Sequence, residues 1–192
     1  MDAVYSPIVT PFPEAPGPGE ALEVAEGVLW IRLPLPMALD HVNVYALDDG
    51  DGWTIVDTGF HSRKSVAIWH SVLGGPLGGR PVNQVVVTHH HPDHIGNAGW
   101  FLREHDCDLV TTRTAWLFAR MLTLDEQDRP TPETIAFWRG SGMDPAILEA
   151  RMNERPFNFA DVVAPLPLGY SRIKEGDTIT TTAHIGSSIE RR

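Results

Sequence analysis

The spacing of hydrophobic and polar positions changes period several times along the chain, and each change predicts an element. Gly27 to Leu33 (GVLWIRL) is a short apolar run stopped by Pro34 and Pro36, which predicts a buried strand. Val42 to Leu47 and Trp53 to Asp57 are β-prone runs on either side of Asp48-Asp49-Gly50-Asp51-Gly52. The Asp-Gly pairs there predict a turn, so the two runs form a hairpin. From Ser62 to Leu73 the apolar positions Val66, Trp69, Val72 and Leu73 fall at helical spacing, and Gly74-Gly75 is a natural stop. Gln84 to Thr88 (QVVVT) is β-branched through its centre, which suits a strand buried on both faces. Ala98 to His105 predicts a helix and Asp108 to Thr112 another strand.

From Arg113 to Phe159 the pattern is mostly helical. Thr131-Pro132 and Asp144-Pro145 each pair an N-capping side chain with proline at the first helical position, and Gly140 and Gly142 separate the helices they begin. Residues 1–20 carry Pro7, Pro11, Pro13, Pro16 and Pro18 and read as an extended arm. The rest, 21–192, reads as one layered α/β or α+β domain with a helical insert at about 113–159. No internal repeat or heptad array interrupts it.

Composition narrows the function classes. A chain of 192 residues with 42% hydrophobic and 21% charged positions has the make-up of an ordinary globular domain. Against 25 Asp and Glu it has 15 Lys and Arg, a net charge of −10, and this acidic surface disfavours a nucleic-acid partner. The single cysteine, Cys107, excludes an intramolecular disulfide and a cysteine-based metal cluster, and its apolar setting suits a core position. No run is long and apolar enough to cross a bilayer, and the N-terminal residues lack the pattern of a secretory signal. A cytoplasmic protein acting on a small molecule, with no membrane partner and its oligomeric state open, is the expectation.

The chemistry gathers in one place. Of 9 histidines, His89, His90, His91 and His94 fall within Thr88-His89-His90-His91-Pro92-Asp93-His94-Ile95-Gly96-Asn97, directly after the β-branched strand. In an extended segment His89 and His91 leave the backbone on the same side, whereas on a helix they would diverge; Pro92 opposes a helix through this point. His90 then faces away. Asp93 and His94 add a carboxylate and a third imidazole, a donor set that suits zinc, and also iron or manganese. Without a metal, so many adjacent imidazoles would repel one another once protonated.

The pattern H-x-H-x-D-H at His89, His91, Asp93 and His94 resembles the signature of the metallo-β-lactamase-fold hydrolases. Asn43-Val44-Tyr45 and Ile55-Val56-Asp57-Thr58-Gly59 are similar to that family's paired strands and Asp-x-Gly turn, so the likeness covers about residues 27–112. The resemblance implies an α+β fold, an αββα sandwich with a two-metal site at the strand edges. It implies that His89 and His91 bind the first metal and Asp93 and His94 the second. Asp57 would hold the motif loop by hydrogen bonds, with a simple turn aspartate as the alternative. It further implies hydrolysis by a metal-activated water, with Asp93 orienting that water or receiving its proton. An ester or thioester substrate, as in the glyoxalase II-like branch, is the first expectation, and a β-lactam or lactone the second. A nuclease and a one-iron dioxygenase rank below these.

Departures from the family pattern set a further expectation. The family uses a third histidine from a later Gly-His turn, then a bridging aspartate and a last histidine. Here Thr181-Thr182-Ala183-His184-Ile185-Gly186-Ser187-Ser188 is similar to that turn at Thr181, His184 and Ser188 only, which makes His184 a candidate ligand to the first metal. Glu190 is the one acidic residue after it, and no second sheet is visible beyond Thr178. The expectation is a truncated copy with an aberrant tail at 180–192, whose first sheet exposes apolar surface. Such a chain could be a non-catalytic metal-binding remnant. Within the insert, Trp116, Phe118, Met121, Phe137, Trp138 and Met152 are candidates to line an apolar substrate mouth, or else form the core of the inserted helices.

Overall fold

Residues 11–181, described here from a computed structural model, begin with β1 (Leu22–Ala25) and β2 (Val28–Pro34). The hairpin follows as β3 (His41–Asp49) and β4 (Gly52–Val56). Its turn is clamped from outside by the Arg80 guanidinium, which donates to Asp48 Oδ1 at 2.8 Å and to the carbonyls of Gly50 and Gly52 at 2.7 Å. Next come α1 (Arg63–Gly74), β5 (Val82–Val87), the single-turn α2 (Pro92–Ile95), α3 (Ala98–His105) and β6 (Asp108–Thr112). The described chain closes with α4 (Arg113–Leu124), α5 (Pro132–Gly140), α6 (Pro145–Asn153), a 3-10 turn at Phe159–Asp161 and β7 (Ser171–Ile173).

The strands form one sheet in the order β1-β2-β3-β4-β5-β6-β7. Pairing is antiparallel from β1 to β4 and parallel from β4 to β7. Side chains alternate across it: Ile31 and Leu33 of β2, Val44 and Ala46 of β3 and Ile55 of β4 are fully buried with Val85 and Val87 of β5. These meet Trp69 and Val72 of α1 and Phe101 of α3 in one hydrophobic cluster. Trp69 and Phe101 pack edge to face with centroids 4.8 Å apart, and the Trp69 indole N–H donates to the Thr58 carbonyl at 2.9 Å. On the opposite face Asn43 and Tyr45 are exposed, and Trp30 Nε1 donates to Asn43 Oδ1 at 2.8 Å.

The predicted runs become elements with boundaries shifted by a residue or two, as end effects dictate. Ser62, the expected first helical residue, is the N-cap of α1, its hydroxyl accepting from Ser65 N at 3.1 Å. Val85, Val86 and Val87 are all buried, as a central strand requires. Two features differ from expectation. Strands β1 and β7 lie outside the predicted runs, because four and three residues carry too little pattern to stand out. The one-turn helix α2 is also new: no helix runs through His89–His91, as expected, and Pro92 starts α2 at its first position, where its missing N–H costs nothing.

This architecture sets the location of the motif. Because β4, β5 and β6 are mutually parallel, their C-terminal ends lie at one sheet edge. Asp57 follows β4, Thr88 to His91 follow β5, and α4 starts directly after β6. Loops at the carboxyl ends of parallel strands form the crevice in which open α/β sheets bind ligands.

Candidate metal centre

Asp57 ends its strand in the left-handed region, at φ 62°, and Gly59 follows at φ 76°. The first is unusual for a residue with a Cβ and is held by what its carboxylate does. Oδ1 accepts from the Thr88 backbone N–H at 2.8 Å; Oδ2 accepts from the Thr88 hydroxyl at 2.7 Å and from His94 Nδ1 at 2.8 Å. One buried carboxylate therefore ties the turn after β4 to both ends of the histidine motif.

These bonds also assign protons. The Thr88 hydroxyl donates to Asp57, so its contact with His89 Nδ1, at 2.9 Å, has the imidazole as donor. His89 and His94 thus both carry their proton on Nδ1 and present Nε2 as a lone pair. His89 Nε2 lies 3.0 Å from His91 Nδ1, and His94 Nε2 lies 3.5 Å from Asp93 Oδ2. The rings of His89 and His94 are 4.0 Å apart between centroids. Tetrahedral zinc with bonds of about 2.0–2.1 Å has ligand atoms about 3.3 Å apart, so both pairs have the separation that one cation each would require. Among the described residues no group of three or more such side chains surrounds a single position. The four donors come together as two pairs, His89 with His91 and Asp93 with His94.

The electrostatics follow from the same geometry. Burial lowers the His89 imidazole below its usual pKa, and the neighbouring His94 and His91 add to this. Burial acts the same way on His94, but its hydrogen bond to Asp57 and the charges of Asp57 and Asp93 outweigh it and raise the net value. His90 is lowered by burial and by His91. Its ring turns to α4 and stacks on Phe118, 5.1 Å away at 29°.

A further set of contacts fixes the loops, and here sequence reasoning missed its main residue. Asn97 is fully buried; its Nδ2 donates to the carbonyls of Thr58 at 2.7 Å, Gly59 at 3.2 Å and Phe60 at 2.8 Å. Its Oδ1 lies 3.1 Å from His61 Nδ1, and its backbone N–H reaches the Thr58 hydroxyl at 3.0 Å. The only trace in the sequence is a polar residue where α3 begins its buried face. His184 lies outside the described residues. The insert residues divide: Trp116 is partly buried and stacks on Tyr170 at 4.9 Å, whereas Phe118, Met121 and Phe137 are 45%, 53% and 71% exposed, which overturns a core role for those three.

Comparison with known proteins gives a consistent picture. A family model described as the metallo-beta-lactamase superfamily matches residues 37–186. The chain is 38% identical over 105 residues to the probable metallo-hydrolase YqjP of Bacillus subtilis (strain 168), a match covering 54% of this chain and 33% of that protein. A beta-lactamase domain protein from Burkholderia ambifaria superposes with a TM-score of 0.75 at 35% identity, over 89% of this chain and 49% of the other. The metallo-beta-lactamase family protein TTHA1429 from Thermus thermophilus shares the fold, with a TM-score of 0.61 at 20% identity over 84% of this chain and 50% of its own. The chain spans half or less of the length of each of these relatives.

Proposed function

The chain belongs to the metallo-beta-lactamase superfamily, and from that membership we propose that it acts as a metal-dependent hydrolase on a small ester or thioester. The observation that carries the reading is the bonding of Asp57, which leaves lone pairs on His89 Nε2 and His94 Nε2 at the sheet edge. In this reading His89 and His91 hold one metal and Asp93 and His94 the second. Zinc is the ion we favour, although imidazole and carboxylate also suit iron and manganese. A bound divalent ion supplies Lewis acidity and a water activated near neutral pH.

The protein's own groups do the rest. Asp57 keeps the two imidazoles in one tautomer and one orientation, so their lone pairs need no rearrangement before use. Asp93, with its side chain 21% exposed, is accessible enough to take a proton from an attacking water. His90 stacks on Phe118 and lies beside His91, at centroid distances of 5.1 and 5.0 Å, and is not counted among the donors. The net charge of −10 supports a small-molecule substrate over a nucleic acid. Among the described residues no helix is long and apolar enough to cross a membrane; we propose a cytoplasmic location.

A glyoxalase II-like thioesterase is the branch we favour, and a β-lactam or lactone hydrolase on the same residues is the second. A metal-binding protein without turnover is the competing class. The test is metal analysis by mass spectrometry with hydrolysis assays on p-nitrophenyl acetate, a thioester, a lactone and a chromogenic cephalosporin. Bound metal with thioester or ester turnover, lost in His89→Ala and Asp93→Ala, is the expected result. Metal binding with no turnover on any substrate would establish the non-catalytic class instead.

A further inference from the structure

The two donor pairs stand on different supports. His89 and His91 follow closely on β5, which is hydrogen-bonded to β4 on one side and to β6 on the other, so the sheet holds their backbone. Asp93 and His94 sit on α2, a single turn of four residues with no side-chain cap at its N-terminus. A helix that short has no stability of its own, and its orientation is set by what its backbone bonds to.

Its partner is Thr58. The His94 carbonyl accepts from the Thr58 N–H at 2.7 Å and from the Thr58 hydroxyl at 2.8 Å. Having given its one hydrogen to that carbonyl, the hydroxyl accepts from the Asn97 N–H at 3.0 Å. The Thr58 carbonyl accepts from Asn97 Nδ2 at 2.7 Å and from Trp69 Nε1 at 2.9 Å. Every polar group of Thr58 is engaged, and both it and Asn97 are fully buried. These bonds reach His94, Asn97 and Trp69, and none of them reaches His89 or His91. Two residues beyond His94 the segments touch backbone to backbone: a Cβ on Gly96 would stand 2.3 Å from the Gly59 carbonyl oxygen.

We propose that Thr58, backed by Asn97, is a positioning residue for the Asp93–His94 pair alone, so that the two metal positions gain and lose affinity separately. The proposal rests on the metal assignment within the hydrolase reading and needs no turnover. Asp57 differs, because its carboxylate bonds to both Thr88 and His94 and so acts on both pairs. Thr58 works through the His94 main chain: it fixes the angle of α2, and with it the direction in which His94 Nε2 and the Asp93 carboxylate point. Loss of its hydroxyl leaves the His94 carbonyl one donor, and leaves the Asn97 N–H only the Gly59 carbonyl at 3.1 Å. The His89–His91 pair keeps its support from the sheet.

The test reads each imidazole separately. Histidine is labelled with nitrogen-15 in the intact chain, and the ring signals of His89 and His94 are followed as zinc is added. In Thr58→Val, which keeps the side-chain shape and drops the hydroxyl, half-saturation at His94 Nε2 moves to about 10–100-fold higher zinc. Half-saturation at His89 stays within about threefold, and Thr58→Ser, which restores the hydroxyl, returns His94 to the wild-type value. A general loss of stability would move both signals together, so the split is what marks positioning. A second measurement uses the wild-type chain and decides the matter if Thr58→Val does not fold. Because coupling is reciprocal, the Thr58 amide exchanges its hydrogen about tenfold more slowly as zinc reaches His94, in step with the His94 signal and not with that of His89. A His94 half-saturation that Thr58→Val leaves in place or moves together with that of His89, or a Thr58 amide that follows His89, overturns the proposal and leaves the metal reading standing. Ring signals that ignore zinc at both histidines overturn the two together.

Discussion

His94 Nδ1 and Asp57 Oδ2 are joined by a 2.8 Å hydrogen bond across 37 residues of sequence, and that bond connects the two loops of the candidate centre. The Asp57 side chain is 7% exposed, so its charge is stabilised by protein donors in place of water. Thr88 supplies two of them, through its N–H and its hydroxyl. The carboxylate therefore shapes the site without facing it.

Asp57→Asn is the direct probe of that arrangement. Asparagine tolerates the left-handed φ of 62° at least as well as aspartate, so the substitution removes charge and one acceptor without adding backbone strain. Zinc affinity falls about 10–100-fold, as for other groups that orient metal-binding histidines. Stability falls by about 1–3 kcal/mol, because a buried donor loses its partner. Isothermal titration with zinc and urea unfolding measure the two effects. An unchanged zinc affinity would mean that Asp57 is a turn residue and nothing more.

Much of this site was legible in sequence because its signals are local. Two-residue spacing puts His89 and His91 on one side, and the β-branched run Val85 to Val87 marks a central strand whatever surrounds it. Asn97 was not legible, because its three carbonyl partners lie 37 to 39 residues away and an asparagine beside a helix start reads as a cap. It does not cap α3 through its side chain. For Phe118 and Met121 of α4 the sequence left two alternatives, an apolar mouth or core, because apolar residues at helical spacing look the same whether buried or exposed.

Gly99 tests how closely the returning chain packs on α3. A Cβ at this position would stand 2.1 Å from the Pro165 carbonyl oxygen and 3.1 Å from that of Ala164. Both obstacles are backbone, so neither can swing aside. Gly99→Ala gains helix propensity of about 1 kcal/mol, yet a clash of this size costs more, and the net loss is about 1–3 kcal/mol. Urea unfolding monitored by tryptophan fluorescence reads the change. A stabilised Gly99→Ala protein would mean that the 164–165 segment does not sit against the helix.

Cys107 should be chemically silent in the folded protein. It is buried beside β6, and burial pushes its thiol up to about 12, so almost no thiolate exists at neutral pH. The thiol-reactive reagent dithionitrobenzoate, added at pH 7.5, labels the native chain only as fast as the chain opens. In concentrated urea the single cysteine reacts within minutes. Rapid stoichiometric labelling of native protein would contradict the burial of this side chain.

His105 gives the stability curve a slope at mild acid. It packs against Trp100 and Phe101, with ring centroids 5.8 and 5.6 Å away. Burial lowers its pKa below the ordinary imidazole value and His70 adds to this, while Glu104 opposes. The unfolded chain therefore takes up the proton first as the pH falls. Folding is unaffected by His105 above about pH 6.5, the unfolded value, and loses stability as the pH drops through the lower folded value. His105→Gln removes that titration and keeps a polar tip. Urea midpoints between pH 7.5 and pH 5 should fall less steeply in His105→Gln than in wild type, and parallel curves would show that the ring is as solvated folded as unfolded.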